Sequence, residues 1–229
     1  MKINKLDWDS NFFGFEVGLA ENNSDFSESE NYHLIILKQK REEEIEIEGF
    51  IKSFQETKVV FNKKLEKDNL NFLDDSIIDF DDEVINKEIL YSLAFESGKY
   101  SRFKLDSNFP KLKFELLYTK WVENSINKEF ADKIFYFREM NNIIGFVTLK
   151  NNTNFSTIGL IAVSENHQGR GLGKKLLSKV EKYCISQNIF RLRIPTQKEN
   201  RPACNFYEKM GYTIDEEIII KHYWKKKIH

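Results

Sequence analysis

Residues 158–177 read IGLIAVSENHQGRGLGKKLL, and the reading of this stretch decides the fold. Ile158, Leu160, Ile161, Ala162 and Val163 form a short apolar run that predicts a buried strand. Gly169, Gly171 and Gly173 follow and free the backbone for positive φ or for close approach. Leu176, Leu177, Val180, Tyr183 and Cys184 then recur at helical spacing. A strand, a glycine turn and a helix N-terminus in that order make a phosphate cradle. Unpaired backbone N–H groups and the positive end of the helix dipole point at the same spot. Arg170, Lys174 and Lys175 add side-chain charge beside it.

Downstream, Phe190 to Ile194 predict another strand. Residues 202–210, PACNFYEKM, predict a short helix with Pro202 in its first turn and Gly211 closing it. Tyr212 to Ile220 and Lys221 to Trp224 read as extended chain. Upstream, Lys133 to Glu139 and Ile143 to Lys150 flank Asn141 and Asn142, a hairpin signal. Helices are expected over 84–98, ending near Gly98, and over 110–126, with Phe114, Leu117, Tyr118 and Trp121 on one face. The acidic tract 74–83 lacks the calcium-loop pattern and reads as a solvated loop. Residues 57–65 and 33–37 read as strands, and 41–54, REEEIEIEGFIKSF, as a helix led by acids. Residues 21–31 read as a polar loop, and residues 1–20 as a buried hairpin around Gly14 and Gly18.

This order predicts an α/β (α+β) fold, a mixed sheet with helices on its faces. Residues 1–95 read as an auxiliary α/β subdomain on the substrate side, and 96–229 as the main domain.

The 35 basic and 36 acidic residues nearly cancel, so no basic excess advertises nucleic acid. Cys184 and Cys204 read as small core residues in a reducing compartment, and no Cys/His spacing points to a metal. No signal-peptide core and no membrane-length apolar run is seen, so a cytoplasmic location is expected. A homodimer is left open.

Which phosphate sits in the cradle can be narrowed. A triphosphate loop would need G-x-x-x-x-G-K-[ST], which is missing. A dinucleotide fingerprint fails because residue 174 is Lys, and the turn lies far down the chain rather than at a first strand. Gln168-Gly-Arg-Gly171-Leu-Gly173 matches Q/R-x-x-G-x-G/A, and the chain resembles the GCN5-related N-acetyltransferases (GNAT), whose coenzyme A pyrophosphate binds that signature. Asn200, Ala203, Tyr207 and Gly211 resemble the same family's ending, N-x-x-A-x-x-x-Y-x-x-x-G. Shorter pieces resemble the TDP-fucosamine acetyltransferases: Leu6-Asp-Trp8-Asp9-Ser10 with Phe12-Phe13-Gly14, Trp121-Val-Glu-Asn, and Leu192-Arg-Ile-Pro-Thr196-Gln197. Pro195 stands where that family often has a small residue.

The broader resemblance implies a GNAT fold and acetyl-CoA as co-substrate, with no metal. It implies that a backbone N–H within Leu160 to Val163 meets the thioester carbonyl and that Ile161, Ala162 and Val163 bind the cofactor. Gln168, Gly169, Arg170, Gly171, Leu172, Gly173 and Lys174 would hold the pyrophosphate, and Asn200 would contact the cofactor. Tyr207 becomes the general acid for the leaving thiolate, since a phenol of pKa about 10 is protonated at neutral pH. Read without the motif, Tyr207 is a core side chain on an amphipathic helix and Asn200 a helix cap. The narrower resemblance implies that the acceptor is the 4-amino group of a nucleotide-linked 4-amino-4,6-dideoxyhexose for surface polysaccharide assembly. Trp8, Asp9, Phe12 and Phe13 would then contact it. The alternatives are another amine, on a protein, polyamine or antibiotic, or a non-catalytic acyl-CoA sensor. No residue stands out as general base; His33, His167, His222, His229, Asp7, Asp9 and Glu139 all remain open.

Overall fold

A computed structural model describes residues 2–67, 77–79, 86–140 and 142–226. In chain order the elements are β1 (Asn4–Lys5), α1 (Asp7–Phe13), β2 (Val17–Glu21), β3 (Leu34–Gln39), β4 (Phe50–Lys64) and β5 (Ile77–Asp79). Then come α2 (Lys87–Ser97), α3 (Arg102–Leu105), α4 (Lys111–Ile126), β6 (Lys133–Glu139), β7 (Asn142–Asn151) and β8 (Ser156–Val163). The chain closes with α5 (Leu172–Ser186), β9 (Arg191–Gln197), α6 (Arg201–Lys209) and β10 (Thr213–Lys225). The strands form one mixed sheet in the order β1-β2-β3-β10-β4-β9-β8-β7-β6-β5. The acidic tract 74–83 lies largely outside the described residues, as do Ile85, Asn141 and His229.

Helices cover both faces. Phe13, Leu93, Phe103, Phe114 and Leu117 from α1–α4 bury one face of the sheet. Leu176, Leu177, Val180, Cys184, Cys204 and Tyr207 from α5 and α6 bury the other. Both cysteines are buried free thiols, and burial pushes the Cys184 thiol up to about 11. The sheet does not break at residue 95. β4, from the first half of the chain, lies between β9 and β10, pairing Phe61 with Ile194 on one side and Glu56 with Ile220 on the other. Its strand neighbours are more than a hundred residues away, which no local pattern encodes.

Two elements differ from expectation. Residues 1–20 are not a hairpin: β1 and β2 do pair antiparallel, but α1 lies between them. Asp7 and Asp9 occupy its first turn, where the dipole favours acids, and Gly14 ends it at φ 81 with its N–H donating to the Ser10 carbonyl. The helix expected over 41–54 is absent. Residues 41–48 are irregular and β4 begins at Phe50. The alternation of Ile45 and Ile47 is strand-like, Ile47 is buried beside Phe50, and tertiary donors hold the backbone open. Gln39 Nε2 and Lys221 Nζ donate to the Glu43 carbonyl at 3.0 and 2.8 Å, and the Tyr223 hydroxyl donates to Ile45 at 2.7 Å.

The feature that makes a cleft is the parting of β8 from β9. They pair in parallel only at Ser156↔Leu192 and Thr157↔Arg193. At the same level β8 carries an extra residue relative to β7, because Leu149 faces Ile158 while Val147 faces Ile161. The bulge turns Ile158 toward α5 but Leu160 and Ala162 toward α2.

Candidate active site

The parting strands open a cavity of about 570 Å³ between β8, the start of α5 and α6. Its backbone donors follow from strand geometry. Thr148 Oγ1 accepts the Leu160 N–H at 2.8 Å, and the Ile144 carbonyl accepts the Ser164 N–H at 2.9 Å, both on the β7 side. By alternation the N–H and C=O groups of Ile161 and Val163 turn the other way, into the cleft. Gln168 Nε2 donates to the Val163 carbonyl at 3.1 Å and so ties the following turn back to the strand.

The turn is built for an anion. Gly169 and Gly171 sit at φ 75 and 77, the left-handed region that disfavours a side chain. Gly171 is the N-cap of α5 and offers no side-chain acceptor, so the first amides of a 15-residue helix stay free, with its dipole behind them. Gly173 lies close to Phe206: a Cβ there would stand 3.4 Å from its ring. Ile161, Ala162, Val163, Gln168, Gly169, Gly171, Leu172, Gly173, Lys174, Asn200 and Tyr207 all line this cavity. Arg170 does not; its guanidinium turns to Glu139, Nη2 to Oε1 at 3.0 Å. His167 Nε2 contacts the same carboxylate at 3.1 Å, and the Arg170 hydrogen bond, with its charge, lowers the Glu139 pKa. Glu139 thus faces both Arg170 and His167, while His167 Nδ1 is buried with no hydrogen-bond partner among the described residues.

A second cavity, of about 350 Å³, adjoins the first. Glu96, Ser97, Lys99, Ile161, Asn200, Ala203 and Tyr207 border both. Tyr207 projects from α6 with its ring buried against Phe61 and Phe206, centroids 5.4 Å away in each case. Its hydroxyl makes no hydrogen bond among the described residues, and burial holds the phenol protonated. Asn200 both caps α6, Oδ1 accepting from the Ala203 N–H at 3.3 Å, and borders the two cavities. The cap and the cavity-lining position expected separately of it therefore coexist.

The second cavity is lined by residues that carry no local signal: Glu56 and Lys58 from β4, Tyr100 and Arg102 near α3, and Tyr118 from α4. Trp121 and Thr196, from the shorter quoted pieces, join them. Arg102 Nη1 donates to Glu56 Oε1 at 3.3 Å. Burial, then Arg102 and Lys38, lower the Lys58 pKa, and burial pushes the Tyr118 phenol up to about 12. Trp8, Asp9, Phe12 and Phe13 are not among the lining residues. Phe13 stacks on Phe103, which is, and Asp9 lies within the field of Arg102 and Lys38. Trp8 stacks on Phe12 at 5.1 Å with 43% of its surface exposed. Among the described residues no three His, Cys, Asp or Glu side chains gather to hold a metal.

A strand that parts at a bulge, amides at an uncapped helix start and a tyrosine at the junction of two cavities agree with the family comparison. Residues 99–212 match the model of the acetyltransferase (GNAT) family. This segment is a GNAT acetyltransferase domain. The chain is 34% identical over 73 residues to a streptothricin acetyltransferase of Escherichia coli, a match covering 31% of this chain and 42% of that one. The chain is 24% identical over 140 residues to the spore coat polysaccharide biosynthesis protein SpsD of Bacillus subtilis (strain 168), covering 61% of this chain and 48% of that one. The chain thus spans less than half the length of either relative. A GNAT-family structure from Novosphingobium aromaticivorans shares the fold at a TM-score of 0.56 and 12% identity, over 85% of this chain and 75% of that one. No helix among the described residues is long and apolar enough to cross a membrane.

Proposed function

We propose that this chain transfers the acetyl group of acetyl-CoA to an amine. The observation that carries the reading is the junction. A cavity lined by the free amides of the α5 N-terminus meets a second, polar cavity at Tyr207. The residues fit the donor: the Gly171–Lys174 amides and the helix dipole suit a pyrophosphate, and the cleft-facing amides of Ile161 and Val163 suit a pantetheine arm. Bound there, acetyl-CoA supplies an activated thioester. The chain aims that carbonyl with a β8 amide, which stabilises charge developing on its oxygen. Tyr207 donates a proton to the departing sulfur.

The acceptor we favour is a nucleotide-linked 4-amino-4,6-dideoxyhexose used in surface polysaccharide assembly. The short motif pieces at both ends of the chain support it, as does the likeness to a polysaccharide biosynthesis protein, which covers more of the chain than the family match does. Tyr100, Tyr118 and Trp121 offer ring faces to a sugar or base, and Lys58 and Arg102 offer charge to phosphates. The second reading, a cationic amine like streptothricin, is favoured by the higher identity to the E. coli enzyme. An acceptor panel separates them. Coenzyme A release should exceed the no-acceptor blank with a TDP-4-amino-4,6-dideoxyhexose. Release only with streptothricin, spermidine or a lysine peptide would overturn the sugar. Binding of acetyl-CoA without transfer to any amine would make the chain a sensor.

A further inference from the structure

Acetyl transfer to an amine leaves one proton unassigned. An ammonium has no lone pair, so a base must remove a proton before nitrogen can attack. Three observations meet at one carboxylate. Glu56 lies on β4 and lines the second cavity together with Tyr207. Its side chain is 3% exposed. Arg102 holds Oε1, while Oε2 is buried with no hydrogen-bond partner among the described residues. A buried acceptor left open in this way is costly, and a donor brought by a ligand relieves it.

Resting on the acetyltransferase reading, we infer that Glu56 is the general base, its free Oε2 receiving a proton from the acceptor ammonium. The ammonium gives one proton to Glu56 and becomes a neutral amine. Its nitrogen forms the C–N bond to the acetyl carbon as the C–S bond breaks. Tyr207 protonates the leaving sulfur and regains a proton from the acylated nitrogen. Glu56 returns its proton to solvent, so one proton is released per acetyl group transferred.

The surroundings suit the role. Burial raises the Glu56 pKa above the ordinary carboxylate range; Arg102 opposes this and Glu199 adds to it. The groups facing it are Arg102 from α3, Tyr118 from α4, Glu199 ahead of α6 and Lys58 on its own strand. Across β10 the register sets Lys38 two strands away, through Ile220. Glu96 is the rival, because it borders both cavities and its Oε2 is also buried without a partner. Glu96, however, lies beside Glu165 and Lys99 at the phosphate-turn side, whereas Arg102 fixes the Glu56 carboxylate in the second cavity.

The test is kcat/KM by coenzyme A release from pH 5.5 to 9.5, using the panel amine that wild type acetylates. The enzymes compared are wild type, Glu56→Gln, Glu56→Asp and Glu96→Gln. Glu56→Gln should lose roughly 10²–10³-fold at pH 7 while keeping acetyl-CoA affinity within about twofold. Its deficit should shrink roughly tenfold per pH unit as the free amine forms in solution. Glu56→Asp, which keeps a carboxylate, should retain the wild-type pH dependence, and any loss in Glu96→Gln should be the same factor at every pH. A Glu56→Gln deficit that is small or constant across pH overturns the assignment, as does the pH-dependent deficit appearing in Glu96→Gln instead. Wild type that binds acetyl-CoA yet acetylates no amine overturns this inference and the acetyltransferase reading together.

Discussion

Tyr207→Phe separates chemistry from packing at the junction of the two cavities. The ring is 4% exposed and packs on Phe61, Phe206 and Tyr212, all contacts that phenylalanine keeps. The hydroxyl makes no hydrogen bond among the described residues, so deleting it leaves no partner stranded. Thermal stability should therefore stay at the wild-type value, whereas Tyr207→Ala removes a buried ring and should cost about 3–5 kcal/mol. If the phenol protonates the leaving sulfur, its loss should lower turnover by roughly 10²–10⁴-fold, about 2.7–5.4 kcal/mol of transition-state stabilisation. Coenzyme A release read with a thiol reagent gives the rate, and titration calorimetry gives cofactor affinity, which should hardly change. Unchanged turnover in a folded Tyr207→Phe protein would refute the acid role and leave Tyr207 a core side chain.

Three further outcomes follow from local structure. Gly171→Ala places a side chain at φ 77, and denaturant unfolding should show a loss of about 1–2 kcal/mol; no loss would mean that the turn relaxes freely. Tyr212→Phe breaks a 2.8 Å hydrogen bond to Glu181, which also pairs with Lys63 at 2.9 Å, and should cost about 1.5–3 kcal/mol, whereas a neutral effect would show that the pair is not formed in solution. His222 is buried, and burial lowers its pKa although Asp106 lies 2.7 Å from Nδ1. Its neutral form therefore contributes stability that is complete above the unfolded value of about 6.5 and is lost as pH falls toward the folded value. Unfolding free energies at pH 7.5 and 5.5 should fall more for wild type than for His222→Gln; equal slopes would contradict this.

How much could be read in the sequence depended on how local the signal was. Residues 158–177 were legible because strand, turn and helix each carry their own pattern, and the glycines that the turn requires are visible as letters. Asn200 and Tyr207 stood out through the family ending they resemble; spacing alone reads them as a helix cap and a core side chain. Arg170 was placed beside the phosphate turn because neighbours in sequence look like neighbours in space, yet Glu139 from β6 takes its guanidinium. The second cavity was mostly invisible. Glu56 meets Arg102 only because β4 threads between β9 and β10 and brings its floor under α3. The acids of 41–48 looked like a helix start, but the isoleucine alternation and donors from Gln39, Lys221 and Tyr223 decide that segment.

The most direct test of the account is a crystal structure with coenzyme A bound. The pyrophosphate should lie on the amides of Gly171 to Lys174, the pantetheine should run along Ile161 and Val163 where β8 leaves β9, and the sulfur should stop within hydrogen-bond reach of the Tyr207 hydroxyl. A pyrophosphate bound elsewhere, or a thiol directed away from Tyr207 and the Glu56 cavity, would contradict it.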